Sequence, residues 1–180
     1  MYRRIAVWST ALVSLAAVVS AQPAETQRVA EAVLPLPDSQ RDAATVVEYD
    51  GEGDRSVLRE GTNDWICVAD DPSPGFSVSC HHRSLDQFHH IAYQLTAQGR
   101  GAERNVVRER EYKAGKLQVP DFAVEYHVRG QRKANAVPIT VIRVPFATAQ
   151  STGLPTEQHL RRPWLMSEGK IQAHIMLPGT

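Results

Sequence analysis

The chain has 180 residues, of which 20 are basic and 20 are acidic, so its formal net charge is zero. This length suits one domain of roughly 100–200 residues. Without an excess of positive charge, the chain lacks the general attraction that holds proteins to nucleic acid or to anionic membrane surfaces, so we expect no nucleic-acid partner.

The N-terminal segment has the pattern of a secretory signal peptide. A short basic start precedes an uncharged apolar run from Ile5 to Val19, and Val19-Ser20-Ala21 matches the small-x-small cleavage pattern. The run is too short to span a membrane, and no comparable run follows it. The sequence therefore predicts a signal peptide over residues 1–21, with cleavage near Ala21 and export to the periplasm or the extracellular space.

The two cysteines of the chain, Cys67 and Cys80, are expected to form a disulfide, because export leads to an oxidising compartment. The 12 residues between them include two prolines and a glycine, which favour a turn. Closing a loop of this size would stabilise the fold by about 3 kcal/mol in the chain-entropy model. A redox-active pair would need a tighter spacing, so a structural disulfide is the favoured interpretation.

After the signal peptide, residues 22–44 are rich in proline, alanine and charge, which favours a flexible N-terminal segment over the alternative, a short amphipathic helix at Thr26 to Val33. A single disulfide-stapled α+β domain is then predicted over 45–180. Short runs with strand composition at 45–49, 56–60 and 65–68 are separated by tight turns. Three such strands in succession predict an antiparallel meander.

The strongest helix signal begins after Cys80. Ser84 is the predicted N-cap and Gln87 completes a capping-box pattern. The helix is predicted from Leu85 to Gln98, with Gly99 as its terminator. One face carries the apolar side chains, which are Leu85, Phe88, Ala92 and Leu95, with Ile91 beside them. The charged segment 100–116 is open to two interpretations, an exposed second helix or a solvated loop.

The C-terminal half is predicted to form strands. The segment Phe122–Val128 alternates, with its apolar residues on the buried face and Glu125, His127 and Arg129 on a solvated face. The run 139–144 is apolar on both faces and suits a central strand. A hairpin follows, with strands at 164–166 and 173–177. Together these elements predict an α+β fold, an antiparallel sheet with one principal helix packed on it.

Three stretches resemble a group of small exported bacterial proteins of uncharacterised activity. They are Val57 to Cys67 with Cys80 following, Gly153-Leu154-Pro155-Thr156, and Pro163 to Met166 with Ala173 to Pro178. The chain differs from the pattern of that group at Asp64, where the group has glycine, and in the residues around Cys80. The resemblance implies secretion and the disulfide, but no chemistry.

The histidines are the first candidates for a functional site, because four of the seven occur in two adjacent pairs. Metal ligands are weakly indicated at His82, Asp86, His89 and His90, since Asp86 and His90 share one side of the helix. Adjacent helical residues point about 100° apart, so His89 and His90 cannot readily hold one ion. Two or three ligands without supporting hydrogen bonds are typical of an adventitious site.

No catalytic motif is present, neither a Gly-x-Ser-x-Gly elbow nor a His-Glu-x-x-His helix. The favoured hypothesis is a non-catalytic exported domain that binds a protein partner or a small ligand without a cofactor. One alternative is a metal-assisted hydrolase that uses the cluster from His81 to His90 and a divalent metal. A second alternative is a structural component of the cell envelope. The ligand, the partner and the oligomeric state are left open.

Overall fold

The structure, a computed structural model, describes residues 21–70 and 74–178. The predicted signal peptide lies outside this range except for Ala21, and it stays a prediction. Asp71, Pro72 and Ser73, which belong to the turn predicted between the cysteines, also lie outside the described part of the chain.

The described residues form one eight-stranded sheet that is mostly antiparallel, together with a few helices, which confirms the predicted α+β class. The strand order across the sheet is β2-β1-β3-β4-β5-β6-β8-β7. The strands are β1 (Thr45–Tyr49), β2 (Arg55–Arg59), β3 (Trp65–Val68), β4 (Phe76–His82), β5 (Ala123–Gly130), β6 (Val137–Arg143), β7 (Trp164–Met166) and β8 (His174–Pro178).

Of the described α-helices, two precede β1, two follow β4 and one lies between β6 and β7. They are α1 (Ala21–Ala32), α2 (Asp38–Arg41), α3 (Asp86–Ala97), α4 (Arg104–Lys113) and α5 (Ala149–Thr152), with short 3-10 turns at Arg83–Leu85, Gly101–Glu103 and Lys133–Asn135. Within the described residues, no helix combines the length and the apolar character that a membrane crossing requires.

The first three strands do not form the predicted meander. β1 pairs with β2 in antiparallel fashion, but it pairs with β3 in parallel, so it lies between them. The chain after β2 crosses the start of β1, where Thr62 and Asn63 donate backbone hydrogen bonds to the carbonyl of Ala43. Gly61 permits this crossing, because a Cβ there would lie only 2.3 Å from the backbone nitrogen of Thr45.

The segment 22–44 is not a flexible lead-in, so that expectation is wrong. It forms α1 and α2, and Ala32, Val33 and Leu36 are buried against the sheet. The Arg41 side chain donates hydrogen bonds to the carbonyls of Leu34 and Leu36, which holds the turn between the two helices. Mixed charge and proline suggested disorder, but a few apolar residues suffice to attach the segment to the domain.

The principal helix is confirmed, with small changes at its ends. α3 starts at Asp86, after a 3-10 turn in which the His82 side chain, rather than Ser84, accepts a hydrogen bond from the backbone. Gly99 ends the helical region with φ of +72°, a value that glycine adopts readily. The segment 100–116 contains a helix, α4, so the helical alternative is the correct one there.

The two faces of the sheet are covered by different helices. α1 packs on one face, together with Val46, Cys67 and Cys80. α3 and α4 lie over the opposite face, which we call the α3 face. The cysteines are directly opposite each other on β3 and β4, fully buried and at disulfide-bonding distance, as predicted.

Candidate binding cavity on the α3 face

The site begins with β5, where the predicted alternation is correct but the predicted burial is reversed. Ala123, Glu125 and His127 are buried on the α3 face, whereas Phe122 is 61% exposed. The expectation that Glu125 and His127 face solvent is therefore wrong. β5 lies inside the sheet and α3 crosses its polar face, so these side chains are enclosed by tertiary packing.

Glu125 is the centre of a buried polar cluster. Its carboxylate oxygen Oε1 accepts from Nε of Arg143 at 2.8 Å and also lies 2.8 Å from Nη2 of the same residue. The same oxygen lies 3.2 Å from Nε2 of His89, and Oε2 lies 3.3 Å from Nε2 of His127. Three cationic or donor side chains from α3, β5 and β6 thus converge on one carboxylate.

These contacts determine the charge states within the cluster. Burial alone would raise the pKa of Glu125, but His89 and the Arg143 guanidinium hold that pKa well below its usual range. Burial lowers the pKa of His89 to about 3 and also lowers the pKa of His127, against the opposing effect of Glu125. At neutral pH the cluster therefore consists of an ionised Glu125, an ionised Arg143 and two neutral imidazoles.

The polar cluster continues toward the start of α3 through His81. The His81 ring stacks on the His89 ring with 4.4 Å between centroids, and its Nε2 lies 3.5 Å from Oδ1 of Asp86. Asp86 in turn accepts from Nη1 of Arg55 at 2.7 Å. Burial raises the pKa of Asp86, but the contacts with His81 and Arg55 outweigh it and hold the pKa well below its usual range.

Arg108 on α4 is the other buried cation of this face, at 5% exposure. Its Nε donates to the backbone carbonyl of Phe88 at 2.7 Å, and its Nη1 lies 3.4 Å from the amide oxygen of Asn105. The guanidinium carbon lies 3.5 Å from the centre of the Phe88 ring, a cation–π contact. Among the described residues Arg108 forms no ion pair, and Glu125 attracts its charge only at longer range.

A cavity of about 620 Å³ lies between α3, α4 and strands β5 to β8. Arg104, Gln158 and Met166 on its border are exposed, so the cavity opens to solvent on their side. The polar lining comes from His89, Tyr93, Arg104, Asn105, Arg108, Glu125, His127, Arg129, Arg143 and His174, and the apolar lining includes Ile139, Val141, Trp164, Met166 and Met176.

The charged side chains that line the cavity are mostly positive. Four arginines border the cavity, at positions 104, 108, 129 and 143, and Glu125 is the acidic residue among the lining side chains. Because Glu125 is already paired with Arg143, three guanidinium groups remain without a carboxylate in the lining. The cavity therefore has a positive potential, which low-dielectric walls strengthen.

The four candidate metal ligands each have a different partner. His82 contacts Ser84 at the end of β4, and Asp86 is engaged by Arg55. His89 points to Glu125, and His90 lies 3.3 Å from the hydroxyl of Tyr49. The structure does not bring these residues together on one ion, and the described part of the chain contains no group of three or more His, Cys, Asp or Glu side chains suited to a metal.

Glu125 and His127 are poorly suited to act as general bases. A general base needs a pKa near the working pH and a free lone pair. Glu125 has a depressed pKa, and its oxygens are engaged by Arg143, His89 and His127. The remaining ring nitrogen of His127, Nδ1, lies 3.3 Å from Nη2 of Arg129, which is a donor only.

Sequence reasoning missed Arg108, Arg143 and Glu125 as site residues. One signal was present, because Arg143 stands inside a strand that was expected to be apolar on both faces. A charged residue in a central strand must be paired or line a cavity, since an isolated buried charge is unstable. The position of Arg108 carries no such signal, because a charged helix face is ordinarily exposed.

Comparisons with protein-family models, with curated proteins and with solved structures gave no match to this chain. The resemblance to small exported bacterial proteins therefore stays an expectation from the sequence. The function has to be inferred from the cavity and its chemistry.

Proposed function

We propose that this protein is a non-catalytic binding domain that holds a small organic anion in the cavity on the α3 face. The observation that carries the proposal is Arg108, a buried cation that borders the cavity and forms no ion pair with any described residue. Burial and the nearby Arg143 lower the pKa of Arg108 to about 9, which still leaves the side chain charged at neutral pH. An anionic ligand would supply the missing countercharge.

The guanidinium groups also specify the kind of anion. Arginine presents a planar fork of donors that matches carboxylate and phosphate oxygens. Arg108 is held in place by Phe88 and Asn105, so little entropy is lost when it binds a ligand. A carboxylate or phosphate group is therefore expected to bind at the α4 side of the cavity.

The opposite wall suits an apolar ligand body. Ile139, Val141 and Trp164 line the cavity from β6 and β7, facing the arginines of α4. The volume of about 620 Å³ lies in the usual range of small-molecule sites, roughly 300–1,000 Å³. The ligand class that fits is an amphiphilic anion with one acidic group and a compact hydrocarbon or aromatic part.

Calorimetric titration with octanoate tests this proposal, with octanol and octylamine as neutral and cationic probes of the same length. We expect octanoate to bind and the other two to bind at least about tenfold more weakly, as one charge-assisted contact predicts. The Arg108→Met variant should lose octanoate binding. Arg110→Met is the matched control, because Arg110 lies on the same helix but is exposed and paired with Glu111.

Equal binding of all three probes, or unchanged octanoate binding by Arg108→Met, would refute the proposal. Circular dichroism of each variant establishes that it is folded. The titrations are repeated at raised salt, where binding that depends on charge should weaken.

We also propose that the protein acts after export from the cytoplasm. The signal-peptide pattern and the paired cysteines support this location. Expression in a bacterium, followed by cell fractionation and N-terminal sequencing, should find the protein outside the cytoplasm with Gln22 as its first residue. A cytoplasmic protein that retains Met1 or Tyr2 at its start would contradict the proposal.

A further inference from the structure

A second kind of donor set lies on the β7–β8 hairpin. The strand register places His174 directly opposite Met166, and Met176 directly opposite Trp164. All four side chains border the same cavity. Directly opposite residues have Cβ atoms about 4.5–5.5 Å apart, and diagonal neighbours are about 7–8 Å apart. Two thioethers and one imidazole are thus gathered within the reach of a single ion.

The imidazole of His174 is oriented for this role. Its Nδ1 lies 2.8 Å from the backbone carbonyl of Gln172, which can only accept, and 3.4 Å from Nη1 of Arg143, which can only donate. The carbonyl contact is much the shorter, so we assign the proton to Nδ1. Nε2 is then left with the lone pair that a metal requires. A backbone carbonyl on the second ring nitrogen is the usual support for a metal-binding histidine.

We propose that Met166, His174 and Met176 form a binding site for a soft monovalent cation of the copper(I) class. Thioether sulfur selects copper(I) among the biological metals, and imidazole is a good ligand for it. Methionine has three rotatable bonds, so both sulfur atoms can adjust to one ion. Trp164, opposite Met176, adds an aromatic ring that can face the cation.

The charge of the surroundings limits which cations fit. The donor set contains no carboxylate, which hard ions such as calcium and magnesium require. Arg143, which lies 3.4 Å from His174, is itself paired with Glu125. The remaining arginines of the cavity repel cations in proportion to ionic charge, so a monovalent ion is disfavoured less than a divalent one. This site uses the hairpin rather than α4, and it does not depend on the proposed anion.

Silver(I) is the appropriate probe, because it shares the soft, closed-shell character of copper(I) and needs no reductant that would attack the disulfide. The protein is labelled with ¹³C at the methionine methyl groups and titrated with silver nitrate in chloride-free buffer. The chain has three methionines. Met1 is either removed with the predicted signal peptide or adds a third signal that serves as an internal reference.

We expect the Met166 and Met176 methyl signals to shift together and to saturate at one equivalent of silver. Zinc at the same concentration should leave both signals in place. His174→Gln and Met176→Leu should each weaken silver binding by at least about tenfold. His90→Gln is the matched control, because His90 contacts Tyr49 and does not border the cavity.

The proposal is overturned if either methyl signal fails to move, or if His174→Gln and Met176→Leu bind silver as tightly as the unaltered protein. The methionine spectra of each variant without silver show whether the hairpin is folded. Octanoate binding by Met176→Leu is measured in parallel, so that failure of the metal site and failure of the anion site are distinguished.

Discussion

The carboxylate of Glu125 lies 2.8 Å from Nε of Arg143 in the interior of the protein, where Glu125 is 1% exposed and Arg143 is 7% exposed. The two residues occupy diagonal positions on β5 and β6, because Glu125 pairs with Val141 and Arg143 pairs with Ala123. Their ion pair joins the middle of the sheet to the cavity. It also neutralises one of the four arginines and leaves Arg108 as the buried cation available to a ligand.

Breaking this ion pair should destabilise the fold strongly. Glu125→Gln leaves the Arg143 charge buried without a partner, and we expect a loss of about 3–5 kcal/mol in the free energy of unfolding, measured by urea denaturation. The double variant Glu125→Leu/Arg143→Met removes both charges and should lose less than Glu125→Gln. If the double variant is the less stable of the two, the pair is not the source of the stability.

The stability of the protein should fall as the pH decreases from about 7. The pKa of His89 is lowered from 6.5 to about 3, so the unfolded state binds a proton in this interval and the folded state does not. Stability is therefore present above pH 6.5 and is lost as the pH falls toward 3. His127 and His174 act in the same direction, and Glu125 adds to the loss below about pH 4.5.

The contribution of His89 can be separated from the others. Each histidine that stays neutral on folding changes the free energy of unfolding by up to about 1.4 kcal/mol per pH unit. His89→Gln cannot titrate, so between pH 7 and pH 5 it should lose about 2 kcal/mol less than the unaltered protein. Urea denaturation at the two pH values measures this difference. An identical loss in both proteins would mean that His89 titrates normally in the folded state.

The N-terminal segment should contribute to global stability. Leu36 is buried beside Ala32 and Val33, so Leu36→Ala should lower the free energy of unfolding by about 2–5 kcal/mol. Thr26→Ala on the exposed surface of α1 is the control and should change stability by less than about 0.5 kcal/mol. Urea denaturation of both variants measures the contrast. Equal effects would show that the segment is not attached to the domain in solution.

The disulfide should add measurable stability. Cys67 and Cys80 join neighbouring strands across 13 positions of sequence, and a variant with both cysteines changed to alanine should lose about 3 kcal/mol in the free energy of unfolding. Alkylation of the exported, unreduced protein under denaturing conditions, followed by mass measurement, should detect no free thiol. Two labelled cysteines would rule the disulfide out.

Local patterns in the sequence predicted several elements of the fold, although β4 was not among the predicted strands and α1 and α2 lie in a segment expected to be flexible. β1 and β3 have the predicted bounds, α3 is within one residue of its predicted limits at either end, and the C-terminal hairpin is present. These elements depend on hydrophobic periodicity and on turn residues such as Gly99, which act over a few positions of the chain. The cysteine pairing needed only two cysteines and an oxidising compartment.

Tertiary structure decided which side of β5 is buried, and with it the site. Successive residues of β5, such as Val124 and Glu125, point to opposite faces of the sheet. This alternation does not say which of the two faces a helix will cover. The answer depends on α3 crossing the polar face, where Arg143 and His89 make a buried carboxylate tolerable. The parallel β1–β3 pairing likewise depends on the close backbone contact at Gly61, which no local pattern reveals.

The sequence by itself determined those elements that depend on near neighbours in the chain, such as β1, β3 and α3. The residues that line the cavity are far apart in the chain, since Arg108 on α4 and His174 on β8 are separated by more than sixty positions. No sequence motif links the residues that determine its charge. Such a site arises from packing, because Arg108 and Glu125 become buried only once the helices close over the sheet.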